Sequence, residues 1–312
     1  MTFPRTPLIA AAFAALALIA QPAMAKTLAV GPDKEFKQPS DAIKAADDGD
    51  KVLIDAGEYF DCAVVEASNL IIEGAGADGS AILTDKTCGG KAILVTVGDN
   101  ITVRNLTLSR ARVADKNGAG IRAEGTTLTV EKVKFLNNQN GILSGPRPDG
   151  VTIIRDSDFT RNGVCDPTCA HGMYIGASKL LRIENSRFSD TRQGHHIKSR
   201  AARTEIVNCT IADGPNGTAS YLIEIPNGGS LVLRDSTLEK GPKADNRSSA
   251  ISIGAEGVTQ PTREITITNN KFSNTGRYRT FFVNNLTATD AMLKNNKLSG
   301  QVDALKGDGE VQ

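Results

Sequence analysis

Ile101-Thr102-Val103-Arg104-Asn105-Leu106-Thr107-Leu108 reads as an alternating strand, a polar turn at Asn105 and one large apolar residue. The same pattern returns at residues 128–135, 152–159, 181–188, 205–211, 231–238 and 265–272. Superposing the copies gives two ladders. The turn ladder is Asn105, Asp156, Asn185, Asn208, Asp235 and Asn269, with Lys132 as its exception. The apolar ladder is Leu108, Phe135, Phe159, Phe188, Ile211, Leu238 and Phe272, at spacings of 27, 24, 29, 23, 27 and 34 residues. These spacings are too uneven for a solenoid of fixed repeat length and too short for propeller blades, which need roughly 40 residues each. One such segment cannot bury its apolar face alone, whereas stacked copies share one core. Asn and Asp tolerate the left-handed backbone a tight turn requires. The expected fold is all-β: a right-handed parallel β-helix, a single-stranded solenoid whose turns absorb the insertions.

The ends follow from the same logic, since an open coil exposes strand edges. Residues 40–46 read as a short N-terminal helix, capped by Ser or Asp, that covers the first coil. Residues 51–55 and 70–73 begin the stack. The β-helix domain is expected over 26–300, followed by a loose polar tail over 301–312. Ahead of the domain, Arg5 is the only charge in the first 25 residues, a 13-residue apolar run spans 8–20, and Ala23-Met24-Ala25 offers a cleavage site. This is the pattern of a signal peptide cut after Ala25. The run is short of the roughly 20 residues a spanning helix needs. The expected location is therefore secreted or periplasmic, with no membrane span.

Without Arg5 the chain carries 35 basic and 35 acidic residues. A neutral chain has no bulk field to hold phosphates, which argues against nucleic acid as a partner. Of the five cysteines, Cys62 with Cys88 and Cys165 with Cys169 are the plausible disulfides for an exported chain, leaving Cys209 free. The spacing Cys165, Cys169, His171 also admits zinc, but a disulfide fits an exported chain better. Gly74-Ala75-Gly76-Ala77-Asp78-Gly79 matches a dinucleotide fingerprint, yet no βαβ unit surrounds it, so it reads as a turn between coils.

Gly49-Asp50-Lys51-Val52-Leu53-Ile54-Asp55-Ala56-Gly57-Glu58-Tyr59, the coils after it and the leader resemble the pectin-lyase-like β-helix superfamily. The resemblance covers nearly the whole exported chain and implies the fold; exported polysaccharide lyases and epimerases are among its members. Some β-helix alginate and chondroitin lyases place a catalytic Lys in an isoleucine-rich strand followed by Ser. Ile197-Lys198-Ser199 is similar, which implies Lys198 as a base. The chain departs from two other family patterns. Asp166-Pro167-Thr168-Cys169 lacks the His and second Asp of the epimerase motif, and Arg147-Pro148 is only a fragment of the pectate lyase motif.

A second strand precedes each repeat, beginning at Gly120, Gly141, Gly172, Gly194, Ser220 and Ala250. Period-2 alternation sends Ala123, Ser144, Ile175, Ile197, Ile223 and Ile253 inward. The outward parity holds Arg122, Leu143, Tyr174, His196, Leu222 and Ser252, then Glu124, Lys198 and Glu224, then Arg200 and Glu256. His195 takes the inward parity. With coils about 4.8 Å apart, Tyr174, His196, Lys198, Arg200 and Glu224 are expected in one outward patch.

That patch suits C5 proton abstraction from a uronic acid polymer, by a β-elimination lyase or a C5 epimerase. Such chemistry needs a cation on the carboxylate, a base for the C5 proton and, for elimination, an acid for O4. Arg200 is expected to hold the carboxylate, Lys198 or His196 to take the proton and Tyr174 to donate one. Arg122, Glu124, Glu224, Glu256 and Tyr221 are expected to contact substrate. Read alone, Lys198 beside Glu224 is a weak surface ion pair; the convergence of the patch favours function. A noncatalytic carbohydrate-binding or structural β-helix is the alternative. No motif demands a cofactor or metal, although Glu224, Glu256 and Asn227 offer oxygen ligands for calcium.

Overall fold

The computed structural model describes residues 1–3 and 24–312. The expected leader's apolar run lies outside the described residues. From Thr27 onward the chain winds as a parallel β-helix with three long sheets of twelve, ten and ten strands. Each coil contributes one strand to each sheet in turn, so neighbours within a sheet come from successive coils.

Both sequence ladders are present. Asn105, Lys132, Asp156, Asn185, Asn208, Asp235 and Asn269 all have φ between 50° and 57°, the left-handed region. The apolar ladder pairs in register along one ten-stranded sheet. Phe135, Phe159 and Phe188 stack face to face with centroids 4.4 Å apart. Each buried Phe contributes roughly 2–3 kcal/mol through the apolar area it removes from water. On the twelve-stranded sheet, Val52, Ile72, Val103, Val130, Ile154, Ile183, Ile206, Leu233, Ile267 and Leu293 form an inward column that stacks coil on coil. Outward, Glu73, Arg104, Glu131, Arg155 and Glu184 alternate in sign along one column. Buried Asn side chains stitch the coils where the sheets turn. Asn138 donates to the Leu108 carbonyl and accepts from the Ala111 N–H, and Asn162 does the same for Phe135 and Asn138.

Two boundary expectations need correction. The helix is Pro39–Ala45, and neither Ser40 nor Asp41 caps it: its N-cap is Gln38, which makes no side-chain cap. Asp61 supplies the missing acceptor from a neighbouring coil, taking the Ser40 N–H at 2.7 Å. Residues 301–312 are no loose tail. Val302–Lys306 and Gly309–Val311 pair with the preceding coil and extend two sheets. Their polar composition reflects one missing neighbour, because an end strand buries only one edge.

Disulfides join Cys62 to Cys88 and Cys165 to Cys169, which removes both thiols from the zinc arrangement. Cys209 is free and buried, and burial raises its thiol pKa to about 11. Among the described residues, no helix is long and apolar enough to cross a membrane.

Candidate functional site

The site lies on the ten-stranded sheet made by the second strand of each coil. Its cross-coil register aligns Arg122, Leu143, Tyr174, Lys198, Glu224 and Ser252 in one outward column. Relative to glycine alignment, the strand His195–Ser199 slips by two residues, which keeps its faces and brings Lys198 level with Tyr174. A slip of one would have turned Lys198 into the core.

The strand's entry explains the larger surprise. His196 and Ile197 are both fully buried, as are Leu222 with Ile223 and Ala250 with Ile251. The chain bends at this corner, so two consecutive residues point inward and the period-2 parity inverts before them. His196 therefore enters the interior. Its Nε2 lies 2.9 Å from the buried Asp213 Oδ1, and its Nδ1 lies 2.8 Å from Thr191 Oγ1. With both nitrogens engaged and no exposure, His196 has no access to the patch. His195, expected inward, points outward instead, with Nε2 3.0 Å from Glu224 Oε2.

Of the expected patch the structure brings Tyr174, Lys198, Arg200 and Glu224 together, without His196, and adds Glu256. Lys198 Nζ sits 2.9 Å from Glu224 Oε2 and 2.6 Å from Glu256 Oε1. The His195 and Lys198 contacts to Glu224 are close approaches rather than well-aligned hydrogen bonds, since Oε2 makes none of good geometry. Burial pushes the Glu224 carboxyl up, but His195 and Lys198 outweigh burial and hold it at about 2. Glu256 is likewise lowered, Lys198 and Arg200 overcoming its desolvation. Arg200 donates through Nε to Tyr174 Oη at 2.8 Å, through one terminal nitrogen to Asn227 Oδ1, and through the other to Glu256 Oε2 at 2.6 Å. Arg200 is thus threaded between a phenol and a carboxylate, its position fixed by three partners.

A cleft of ≈ 400 Å³ opens beside this cluster, lined by Asn140, Leu143, His171, Tyr174, Lys198 and Arg200 among others. One wall is the disulfide-closed hairpin of Val164–Cys165 and Cys169–Ala170. A larger groove of ≈ 860 Å³ lies on the twelve-stranded sheet around Glu73, Arg104 and Glu131. There the charges already pair with one another, as Arg104 does with Glu73 at 2.7 Å.

The remaining expected contacts are distributed. Arg122 and Glu124 pair at 3.4 Å two coils from Tyr174, and Glu124 also takes Lys91 at 2.6 Å. Tyr221 packs on the His195 ring with centroids 5.2 Å apart. The oxygens considered for calcium face the Lys198 and Arg200 cations. Among the described residues, no group of three or more His, Cys, Asp or Glu side chains converges as metal ligands. Sequence reasoning missed the His195 contact and the cleft-lining role of Asn140 and His171. His171 precedes Gly172, outside the aligned strand starts, and nothing in the sequence marks Asn140 apart from other turn asparagines.

Solved structures were compared with this winding. The crystal structure of an alginate lyase from Paenibacillus sp. str. FPU-7 is similar at 17% identity and a TM-score of 0.69, covering 91% of this chain and 99% of that one. Pectin methylesterases are matched with lower scores. That from Aspergillus niger gives 12% identity and a TM-score of 0.49 over 90% of this chain and 91% of that one. PemA from Erwinia chrysanthemi gives 11% and 0.46 over 89% and 93%. A search of curated proteins finds no match. Residues 147–309 match the family described as "Right handed beta helix region", a span that includes Tyr174, Lys198, Arg200 and Glu224. With its stacked parallel sheets and that match over half its length, the chain belongs to the right-handed β-helix family.

Proposed function

We propose that this chain is an exported enzyme acting on a uronic acid polysaccharide by abstracting the C5 proton. The observation that carries the reading is the triad Tyr174, Lys198 and Arg200 at one cleft, Tyr174 and Lys198 being direct cross-coil partners. The alginate lyase of similar fold acts on a polymer of this class, and the two disulfides agree with export.

The roles follow from the contacts. A sugar carboxylate displaces the half-exposed Glu256 and takes its place against Arg200, by charge-assisted hydrogen bonds. Lys198, in its amine form, removes the C5 proton. Arg200 donates to the Tyr174 oxygen, which leaves the phenol hydrogen free to protonate O4 as that bond breaks. Glu224 and His195 hold Lys198 at the cleft. Arg200 supplies the positive charge that meets the carboxylate. An epimerase would share the first step and return a proton to C5 from the opposite face.

The test is ultraviolet absorbance of the exported form incubated with alginate, pectate and glucuronate-containing polymers. An unsaturated product abolished by Lys198→Ala supports a lyase. Proton NMR showing C5 exchange or inversion without cleavage supports an epimerase. Binding with neither product nor exchange overturns the enzymatic reading in favour of a carbohydrate-binding β-helix.

A further inference from the structure

Two hydrogen-bond donors at this cleft are used by nothing in the chain. Asn140 is 1% exposed. Its Oδ1 accepts the His171 N–H at 2.8 Å, which fixes the orientation of the amide, and its buried Nδ2 has no partner. Other buried asparagines in the fold, Asn138 and Asn162, use both ends of the amide. An unmade buried bond is destabilising, so Asn140 stands out as an exception located at the cleft.

His171 is the second donor. Its Nδ1 accepts the His195 N–H at 3.0 Å, so a neutral ring carries its proton on Nε2. Burial, then the nearby His195, Lys198 and Arg200, hold its pKa well below 6.5. The ring is locked by stacking on His195, with centroids 4.8 Å apart. No acceptor among the described residues meets Nε2.

We propose that Asn140 Nδ2 and His171 Nε2 form a neutral oxyanion pocket, which receives the charge that develops on the uronate carboxyl group as the C5 proton leaves. The inference rests on the uronate reading above. In the step it serves, the C5–H bond breaks and the proton passes to Lys198. The electron pair forms a C5=C6 double bond, and the C6=O pair moves onto oxygen, giving an enediolate with two negative charges. The ground-state carboxylate carries one charge, which Arg200 already meets. The second appears only during the reaction, where preorganised donors act on the rate more than on binding.

Asn140→Asp is the decisive variant. An aspartate oxygen still accepts the His171 N–H, while the donor is replaced by an acceptor that repels the oxyanion. The expected result is a fall in kcat on the order of 10²-fold, a KM change below about three-fold, an equal slowing of C5–H exchange in heavy water, and an unchanged thermal midpoint. His171→Gln, which can still accept from His195, should show the same split; if Asn140→Asp does not fold, this variant decides. A wild-type chain that gives neither unsaturated product nor C5 exchange overturns the proposed function and this pocket together. An active wild type with both folded variants at full kcat overturns the pocket alone.

Discussion

In the proposed mechanism a substrate carboxylate displaces Glu256 from Arg200, so removing the Glu256 charge should strengthen binding. Its carboxylate touches Lys198 and Arg200 at 2.6 Å each, with 42% of the side chain exposed. Exposed ion pairs, screened by solvent, are worth roughly 0.2–1 kcal/mol each, so two such contacts sum to about 0.4–2 kcal/mol, with about 1 kcal/mol as the central value. Glu256→Gln keeps the shape and one acceptor but drops the charge. The Kd for a defined oligouronate should therefore fall about 5-fold at low salt, and the gain should shrink toward 0.15 M, where the screening length is about 8 Å. Isothermal titration calorimetry on a Tyr174→Phe background measures this without turnover. Glu131→Gln, on the twelve-stranded sheet, controls for the bulk charge change and should leave Kd unchanged. An unchanged or weaker Kd for Glu256→Gln would refute displacement and make Glu256 part of the receptor.

Other consequences are open to simpler measurement. The Glu224 carboxyl is held at about 2 against an ordinary 4.5, so its stabilising contribution is complete above pH 4.5 and is lost as pH falls toward 2. Urea denaturation should accordingly show Glu224→Gln less stable than wild type at pH 5, with the gap narrowing by pH 3; a constant gap would contradict the ion-pair account. Lys132 holds φ 55° in a ladder of Asn and Asp. Lys132→Asn should raise stability by about 0.5–1 kcal/mol, since Asn tolerates the left-handed region better, and a lower melting temperature would show that Lys132 is anchored by something other than its backbone.

The fold was legible because its two ladders are repeated, and each copy checks the others. The Asn and Asp turns and the Phe, Leu and Ile column recur wherever the backbone demands them. The site was legible only where the backbone is regular. Tyr174, Lys198, Arg200 and Glu224 were placed on one face because a register slip of two leaves faces unchanged. His195 and His196 exchanged roles because the bend at the corner breaks the alternation, and a bend leaves no mark in a string of residue types. The tail looked loose because an end strand buries too little to need an apolar pattern. Asn140 and His171 depend on hydrogen bonds across coils that residue order does not encode.

The strand bearing Lys198 has five strands on one side of its sheet and four on the other. A stack in which each coil touches only its neighbours opens from its ends, one coil at a time. The first coils are fastened by the Cys62–Cys88 bond, while among the described residues the last coil has no such clasp. Fraying therefore starts at the C-terminal end and must peel away several coils before it reaches the cleft. Amide hydrogens around residues 195–199 should be among the slowest in the molecule to exchange, so partial unzipping can shed the end coil while the cleft stays assembled.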